Sequence, residues 1–214
     1  MHCCPDTVPD LHVSLDISNN TALVELWCHD NQLTSLDLSH NPALTGLICS
    51  SNQLTSLDLS NNTVLQTLFC GGNRLISLDL TNNTELEVLE CGDNQLTTLE
   101  VSHNTDLKRL DCYSNQLTSL DVSKNTTLYS LWCSDNKLSS LDVSNNTFLT
   151  YLWCNENQLT FLDFSNNTSL EKIDLSSIHS LYRVCVWTIP FPPEGVEVNF
   201  TDSPNVYFTN DCSK

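Results

Sequence analysis

The sequence predicts a mainly β chain wound into one elongated solenoid of about eight coils, with short parallel strands in one or both halves of each coil and few or no α-helices. Three observations predict it. A cysteine returns at every 21st residue, at Cys28, Cys49, Cys70, Cys91, Cys112, Cys133 and Cys154. Around each, a phrase that opens Leu23-Val24-Glu25-Leu26-Trp27-Cys28 and closes Leu36-Asp37-Leu38-Ser39-His40-Asn41 comes back with few changes. Within it, Leu26-Trp27-Cys28 and Leu36-Asp37-Leu38 alternate inward and outward positions with the period of two that a strand requires. Units repeated at a fixed period pack chiefly on their neighbours, so the chain offers no linker at which to divide it.

Taken in order, residues 1–22 read as an N-terminal cap and half repeat. Seven 21-residue units follow over 23–169 (23–43, 44–64, 65–85, 86–106, 107–127, 128–148 and 149–169). Residues 170–214 read as a degenerate repeat and a C-terminal cap. Caps are expected because bare terminal coils expose core and strand edges. After Leu170, Ile173 and Leu175 the expected asparagine is Ile178, and the stretch from Val184 to Pro193 turns apolar and proline-rich. Cys185 and Cys212 stand outside the cysteine file and are predicted to close this cap as a disulfide, which implies an oxidising compartment. Cys3 and Cys4 are adjacent, a strained arrangement for a mutual bridge, so at least one is expected to be free or to pair elsewhere.

The spacing Leu23xxLeu26xCys28xxAsn31 resembles the leucine-rich repeat motif LxxLxLxxN, with cysteine where the third leucine usually sits. Ten residues on, Leu33xxLeu36xLeu38xxAsn41 matches it again. Such a nested pair is similar to the bacterial class called IRREKO repeats and, more loosely, to the internalins. The resemblance covers roughly residues 12–178. It implies the solenoid, and it implies that varied strand positions line a ligand face; a fold of this kind does not by itself name a function.

Composition narrows the partners. With 26 acidic and 8 basic residues the formal charge is −18, a field that repels phosphate backbones and anionic membrane surfaces. No Lys/Arg cluster offers a local exception, so nucleic acid is excluded as an expected partner. No apolar run is long enough for a membrane span. Met1-His2-Cys3-Cys4-Pro5 lacks the apolar stretch of a signal peptide, yet a leader removed by processing leaves a secreted or cell-surface location open. A monomer is the expected state.

Stacked coils place equivalent side chains in files about 4.8 Å apart. The cysteine file is expected to point inward as small buried hydrophobes. Inward parallel vectors disfavour bridges between neighbours, and one line of sulfurs does not supply a tetrahedral metal site. Two asparagine files, Asn31 to Asn157 and Asn20 to Asn167, are expected to satisfy backbone groups at the bends. A carboxylate file, Asp16, Asp37, Asp58, Asp79, Glu100, Asp121, Asp142 and Asp163, repels itself and needs compensation. Hydrogen bonds from adjacent Ser, Thr and backbone N–H groups are expected to supply it; raised carboxyl pKa values and bound calcium are the alternatives.

The Cys half varies where the Leu half does not. Its file just before the cysteine runs Trp27, Ile48, Phe69, Glu90, Asp111, Trp132 and Trp153, and neighbouring files add Tyr113 and Tyr151. Alternation turns these side chains to solvent. They are expected to form two aromatic clusters, Trp27 with Ile48 and Phe69, and Tyr113 with Trp132, Tyr151 and Trp153, separated by Glu90 and Asp111. Exposed aromatics on neighbouring rungs mark binding, while shielding of the sheet is the structural alternative. Which half is concave stays open, since both match the motif.

No nucleophile–base pair, metal motif or phosphate loop appears, so neither catalysis nor a cofactor is expected. The predicted function is a non-enzymatic extracellular recognition or adhesion module that binds a protein or glycan through the varied face. The alternative is binding of a regular array (ice, mineral or calcium) by the uniform files, or a purely structural spacer.

Overall fold

A computed structural model describes residues 14–212; Cys3 and Cys4 lie outside the described residues. Twelve strands of three residues each, and no helix, are found among them. Nine strands pair in parallel into one sheet: β1 (Glu25–Trp27), β2 (Gly46–Ile48), β3 (Thr67–Phe69), β4 (Val88–Glu90), β5 (Arg109–Asp111), β6 (Ser130–Trp132), β7 (Tyr151–Trp153), β9 (Lys172–Asp174) and β11 (Glu197–Asn199). Register is strict, with Leu26 opposite Leu47, Leu47 opposite Leu68 and so on to Ile173 opposite Val198. The solenoid therefore has about nine coils where the repeat count suggests about eight. The extra coil comes from Glu197–Asn199, which pairs with β9 although its sequence has left the repeat.

The Leu half differs from the strands expected of it. It forms a ladder only in the last coils, where β8 (Phe161–Asp163), β10 (Arg183–Cys185) and β12 (Tyr207–Thr209) make a second parallel sheet in the order β12-β10-β8. In each coil the carboxylate accepts the N–H two residues on, as Asp37 Oδ1 does from Ser39 at 2.9 Å and Asp163 Oδ1 of β8 from Ser165 at 2.8 Å. Two consecutive turns then close, with Asn41 N–H donating to Leu38 O and Leu44 N–H to Asn41 O, and Asn167 N–H to Phe164 O and Leu170 N–H to Asn167 O after β8. These local bonds are common to coils with and without the second ladder, so the outward side chains distinguish them. One regular inter-coil bond per turn survives in the coils without it, such as Gln53 N–H to Leu33 O at 2.9 Å. At β8 the outward residue changes from Ser140 in the coil before to Phe161, whose ring lies 4.4 Å from the Arg183 guanidinium carbon on the next strand, and the bulkier pair suits a sheet surface.

The core is a stack of one-residue files. Leu26, Cys28, Leu33 and Leu38 and their equivalents from Ile17 to Leu175 are 0–3% exposed, and the file headed by Leu36 is nearly so. All seven cysteines from Cys28 to Cys154 are buried and unbridged. Burial pushes the thiols from Cys49 to Cys154 up, Cys70 to about 12, so they pack as neutral apolar groups.

The two asparagine files lace the coils together unequally. Asn115 Nδ2 donates to Cys91 O of the previous coil (3.0 Å) and to Cys112 O and Tyr113 O of its own, while its Oδ1 accepts from Leu96 N–H at 2.9 Å. Asn104 of the other file donates to Leu80 O and Asn83 O, but its buried Oδ1 has no hydrogen-bond partner. Where Ile178 interrupts the first file, Ser203 of the cap takes over. Its hydroxyl donates to Leu175 O (2.7 Å) and accepts from Ile178 N–H (2.9 Å). Rings of Trp187, Phe191, Phe208 and Phe200 close over the last coil with centroids 5.0–5.9 Å apart. The predicted disulfide joins Cys185 to Cys212, tying the end of the described chain to β10.

Candidate functional site

On the nine-stranded sheet the middle residue of each strand points inward, so the first and third face outward with the residue after the cysteine. The structure thus sets Trp27, Ile48, Phe69, Glu90, Asp111, Trp132 and Trp153 on successive rungs of one face. Trp27, Ile48 and Phe69 are half-buried neighbours, with Ile48 between the two rings.

The second cluster is tighter than the first. Trp132 and Trp153 have centroids 4.7 Å apart at 53°, and Tyr151 lies 6.0 Å from Trp153. Tyr113 stands apart from this stack. It leans back over Gly92, where an added Cβ would come within 2.5 Å of the ring. Glu90 leans the same way towards Gly71. The two glycines, blank positions in the varied file, are seats for the large side chains of the following coil. A glycine followed one period later by a bulky residue is the sequence signal for this.

Asp111 corrects the expectation that every member of this file faces solvent: it is 1% exposed. Arg109, two residues earlier on β5, covers it, donating Nε to Asp111 Oδ2 at 3.0 Å with Nη2 closer still. The hydrogen bond to Asp111 raises the already basic Arg109, and the same guanidinium carbon lies 5.4 Å from the Trp132 ring centroid. Both contacts use Oδ2, so Asp111 Oδ1 is left buried without a partner. Trp132, opposite Asp111 in register, likewise has a buried indole N–H without an acceptor. Burial pushes the Glu90 carboxyl up, the Asp111 charge adds to this, and Arg109 opposes it. Burial also raises the Tyr113 hydroxyl, together with the charges of Asp93, Glu90 and Asp111 and a hydrogen bond with Asp93.

Two shallow depressions flank the tryptophan pair. One, of about 380 Å³, is lined by Tyr113, Trp132 and Trp153 and walled by Asp135, Glu156 and Asp174. The other, of about 270 Å³, lies among Arg109, Tyr129, Trp132, Tyr151 and Trp153. Tyr129 and the acidic wall were not among the predicted site residues. Asp135 and Glu156 occupy the bend two residues past the cysteine, where the backbone is left-handed (φ 51° and 55°) in coil after coil. Every coil reads there as a turn, and the turn hides the carboxylates' place on the rim.

The uniform Leu-half file is satisfied locally, as expected. Asp37, Asp58, Asp79, Asp121 and Asp142 are held below their ordinary value of 3.8 by hydrogen bonds from the hydroxyl and backbone N–H two residues on. The mutual charge repulsion is smaller than these bonds, so the carboxylates stay ionised.

Comparison with family models and with curated proteins finds no match. Solved structures do match. The functional domain of InlJ from Listeria monocytogenes, which includes a cysteine ladder, is 34% identical with a TM-score of 0.82 over 90% of this chain and 47% of that one. YopM from Yersinia pestis, a leucine-rich effector protein, is 26% identical (TM-score 0.68, 90% of this chain and 57% of that one). Internalin C2 from Listeria monocytogenes shares the fold at 24% identity (TM-score 0.67, 79% and 74%). The chain spans about half the length of the InlJ and YopM chains it matches.

Proposed function

The chain is an internalin-like leucine-rich-repeat solenoid, and from that premise we propose that it is a non-enzymatic recognition module, secreted or displayed at a cell surface, that binds a protein or glycan through the outer face of its nine-stranded sheet. One observation carries the reading. Side-chain identity varies along this face while the opposite half repeats Asp and Ser, and the large aromatics gather in contact on the varied side. A solenoid held by two asparagine files loses little conformational freedom on binding, and half-buried rings give a rigid contact area. The Cys185–Cys212 disulfide supports an oxidising compartment. We read residues 23–169 as the repeat body and 170–214 as its cap. The uniform acidic file is accounted for by its own hydrogen bonds, so no array-binding role is assigned to it.

The test is a double replacement of Trp132 and Trp153 by alanine. Capture of partners from surface extracts and binding on a glycan array should be lost, while the chain stays folded with a melting temperature lowered by about 8–16 °C, the effect of roughly 4 kcal/mol of ring burial and contact. Capture retained by the folded variant would reassign the rings to shielding the sheet.

A further inference from the structure

The larger depression beside the tryptophan pair combines three aromatic walls, Tyr113, Trp132 and Trp153, with three carboxylates, Asp135, Glu156 and Asp174, and no basic side chain lines it. Basic groups nearby on the chain are committed elsewhere. Arg109 is bound to Asp111, Lys172 lies 3.3 Å from Glu197, and Lys108 lies 2.7 Å from Glu87. One rung away, the molecule shows what such a combination holds: the Arg109 guanidinium lies over Trp132 and against Asp111 at once. Beyond Trp153 the same elements recur, with Asp174 opposite it in register and Lys172 in the place of Arg109, but the Lys172 ammonium is turned to Glu197 and does not line the larger depression. Asp174 is only partly satisfied from within, by Ser176 and Asn199, and Asp135 accepts one hydrogen bond from Ser114.

We infer that this depression receives the cationic side chain, arginine or lysine, of a basic segment in a partner protein. The inference rests on the recognition reading above and gives its partner a chemistry. Ring faces attract a cation and the carboxylates neutralise it. A neutral sugar would cover the same rings but leave the carboxylate charges uncompensated as water is excluded. A free small cation gains little at so open a site, whereas a polypeptide segment covers it. A formal charge of −18 steers a basic segment towards the chain over a long range, and the aromatic–acidic depression fixes where it docks.

The experiment titrates the full chain with three capped peptides of one Gly/Ser sequence carrying two arginines, two lysines or two citrullines, followed by calorimetry and tryptophan fluorescence. Citrulline keeps the shape of arginine without its charge. The arginine or lysine peptide should bind about tenfold more tightly than the citrulline peptide. Glu156→Gln should weaken it about fivefold, and Trp153→Leu, which keeps apolar bulk but removes the ring face, by a similar factor. Asp79→Asn, the same loss of charge on the opposite half, should change it less than about twofold. Equal binding of charged and citrulline peptides, or of none at about millimolar concentration, overturns the inference. Equal losses in Glu156→Gln and Asp79→Asn also overturn it, since a diffuse field would then explain the binding. If these arms fail while the Trp132/Trp153 double variant still abolishes partner capture, the cationic partner is refuted and recognition by the face stands. If the double variant captures normally as well, both fall.

Discussion

In the Cys half of each coil the backbone exchanges hydrogen bonds with both neighbouring coils, through Thr45 N–H to Val24 O, Cys28 N–H to Ile48 O and Asp30 N–H to Ser50 O. In the Leu half the backbone bonds mostly within its own coil, through an aspartate-centred turn and two tight turns. Both halves carry the same leucine motif and bury their leucines. The difference lies in which polar groups are spent locally. A half that needs its outward Asp and Ser to build turns cannot vary them, while a half whose backbone is satisfied by the ladder is free to change every outward residue. Function is therefore expected on the Cys half for a structural reason, independent of any aromatic residue.

Breaking the lacing on one half and then the other sharpens this comparison most. Asn115→Ala strands the buried Leu96 N–H and gives up the three Nδ2 contacts to Cys91 O, Cys112 O and Tyr113 O, of which Cys91 O keeps Asn94 Nδ2. At about 1–3 kcal/mol for the stranded group and about 0.5–1 kcal/mol for each contact, the loss should reach about 4 kcal/mol, lowering the melting temperature by roughly 8–16 °C. Asn104→Ala removes two donor contacts, and it also removes an Oδ1 that is already unpartnered. It should cost about half as much. Thermal melts of the two variants side by side check the ranking, and equal losses would show that the two files lace the coils alike.

Much of this was legible in the sequence, and the reasons are physical. A fixed period forces identical neighbours into register, so the inward files of Leu26 and Cys28 and the satisfied Asn115 file follow from spacing alone. The local bonds of Asp37 follow from a serine two residues on. Three features were not legible. The absence of strands from most of the Leu half goes with the outward side chains, since Phe161 and Arg183 pair across a ladder where Ser140 and its equivalents do not, and the motif leaves those positions open. The burial of Asp111 depends on the direction taken by Arg109, and a period of two assigns faces, not the path of a long side chain. The acidic wall of Asp135 and Glu156 sits at a left-handed bend that reads as turn chemistry in every coil.

Acid should unfold the chain chiefly through the Leu half. A carboxyl whose pKa is depressed in the folded state binds fewer protons there than in the unfolded chain, so it stabilises the fold above its unfolded value and loses that contribution as pH falls through the folded one. Asp37, Asp58, Asp79, Asp121 and Asp142 lie below 3.8, and Glu100 lies below 4.5, each through bonds to the residue two positions on. Stability should hold down to about pH 5 and decline below about pH 4. Glu90 acts in the opposite sense, because its raised carboxyl favours the fold when protonated, and that contribution is lost as pH rises through its unfolded value towards the folded one. Denaturant melts of Asp58→Asn from pH 7 to pH 3 should show a shallower acid decline than the parent. An unchanged slope would move the acid sensitivity away from this file.

The smallest effect is the most specific to the varied face. Trp132 keeps its indole N–H buried without an acceptor beside the unpartnered Asp111 Oδ1, so the face carries an unmade donor and an unmade acceptor on adjacent rungs. Trp132→Phe removes the donor and keeps an aromatic ring against Trp153 and under Arg109. Removing a stranded polar atom returns its desolvation cost of about 1–3 kcal/mol, while the smaller ring gives up a comparable amount of packing. The melting temperature should therefore move by less than about 2 °C. Trp132→Ala, which gives up the packing as well as the N–H, should fall further. If Phe destabilises as much as Ala, the indole N–H is contributing a hydrogen bond, and the two polar atoms on β5 and β6 are coupled. A phenylalanine variant that melts with the parent leaves them as an unfilled donor–acceptor pair on the one face of the molecule where the residues are free to change.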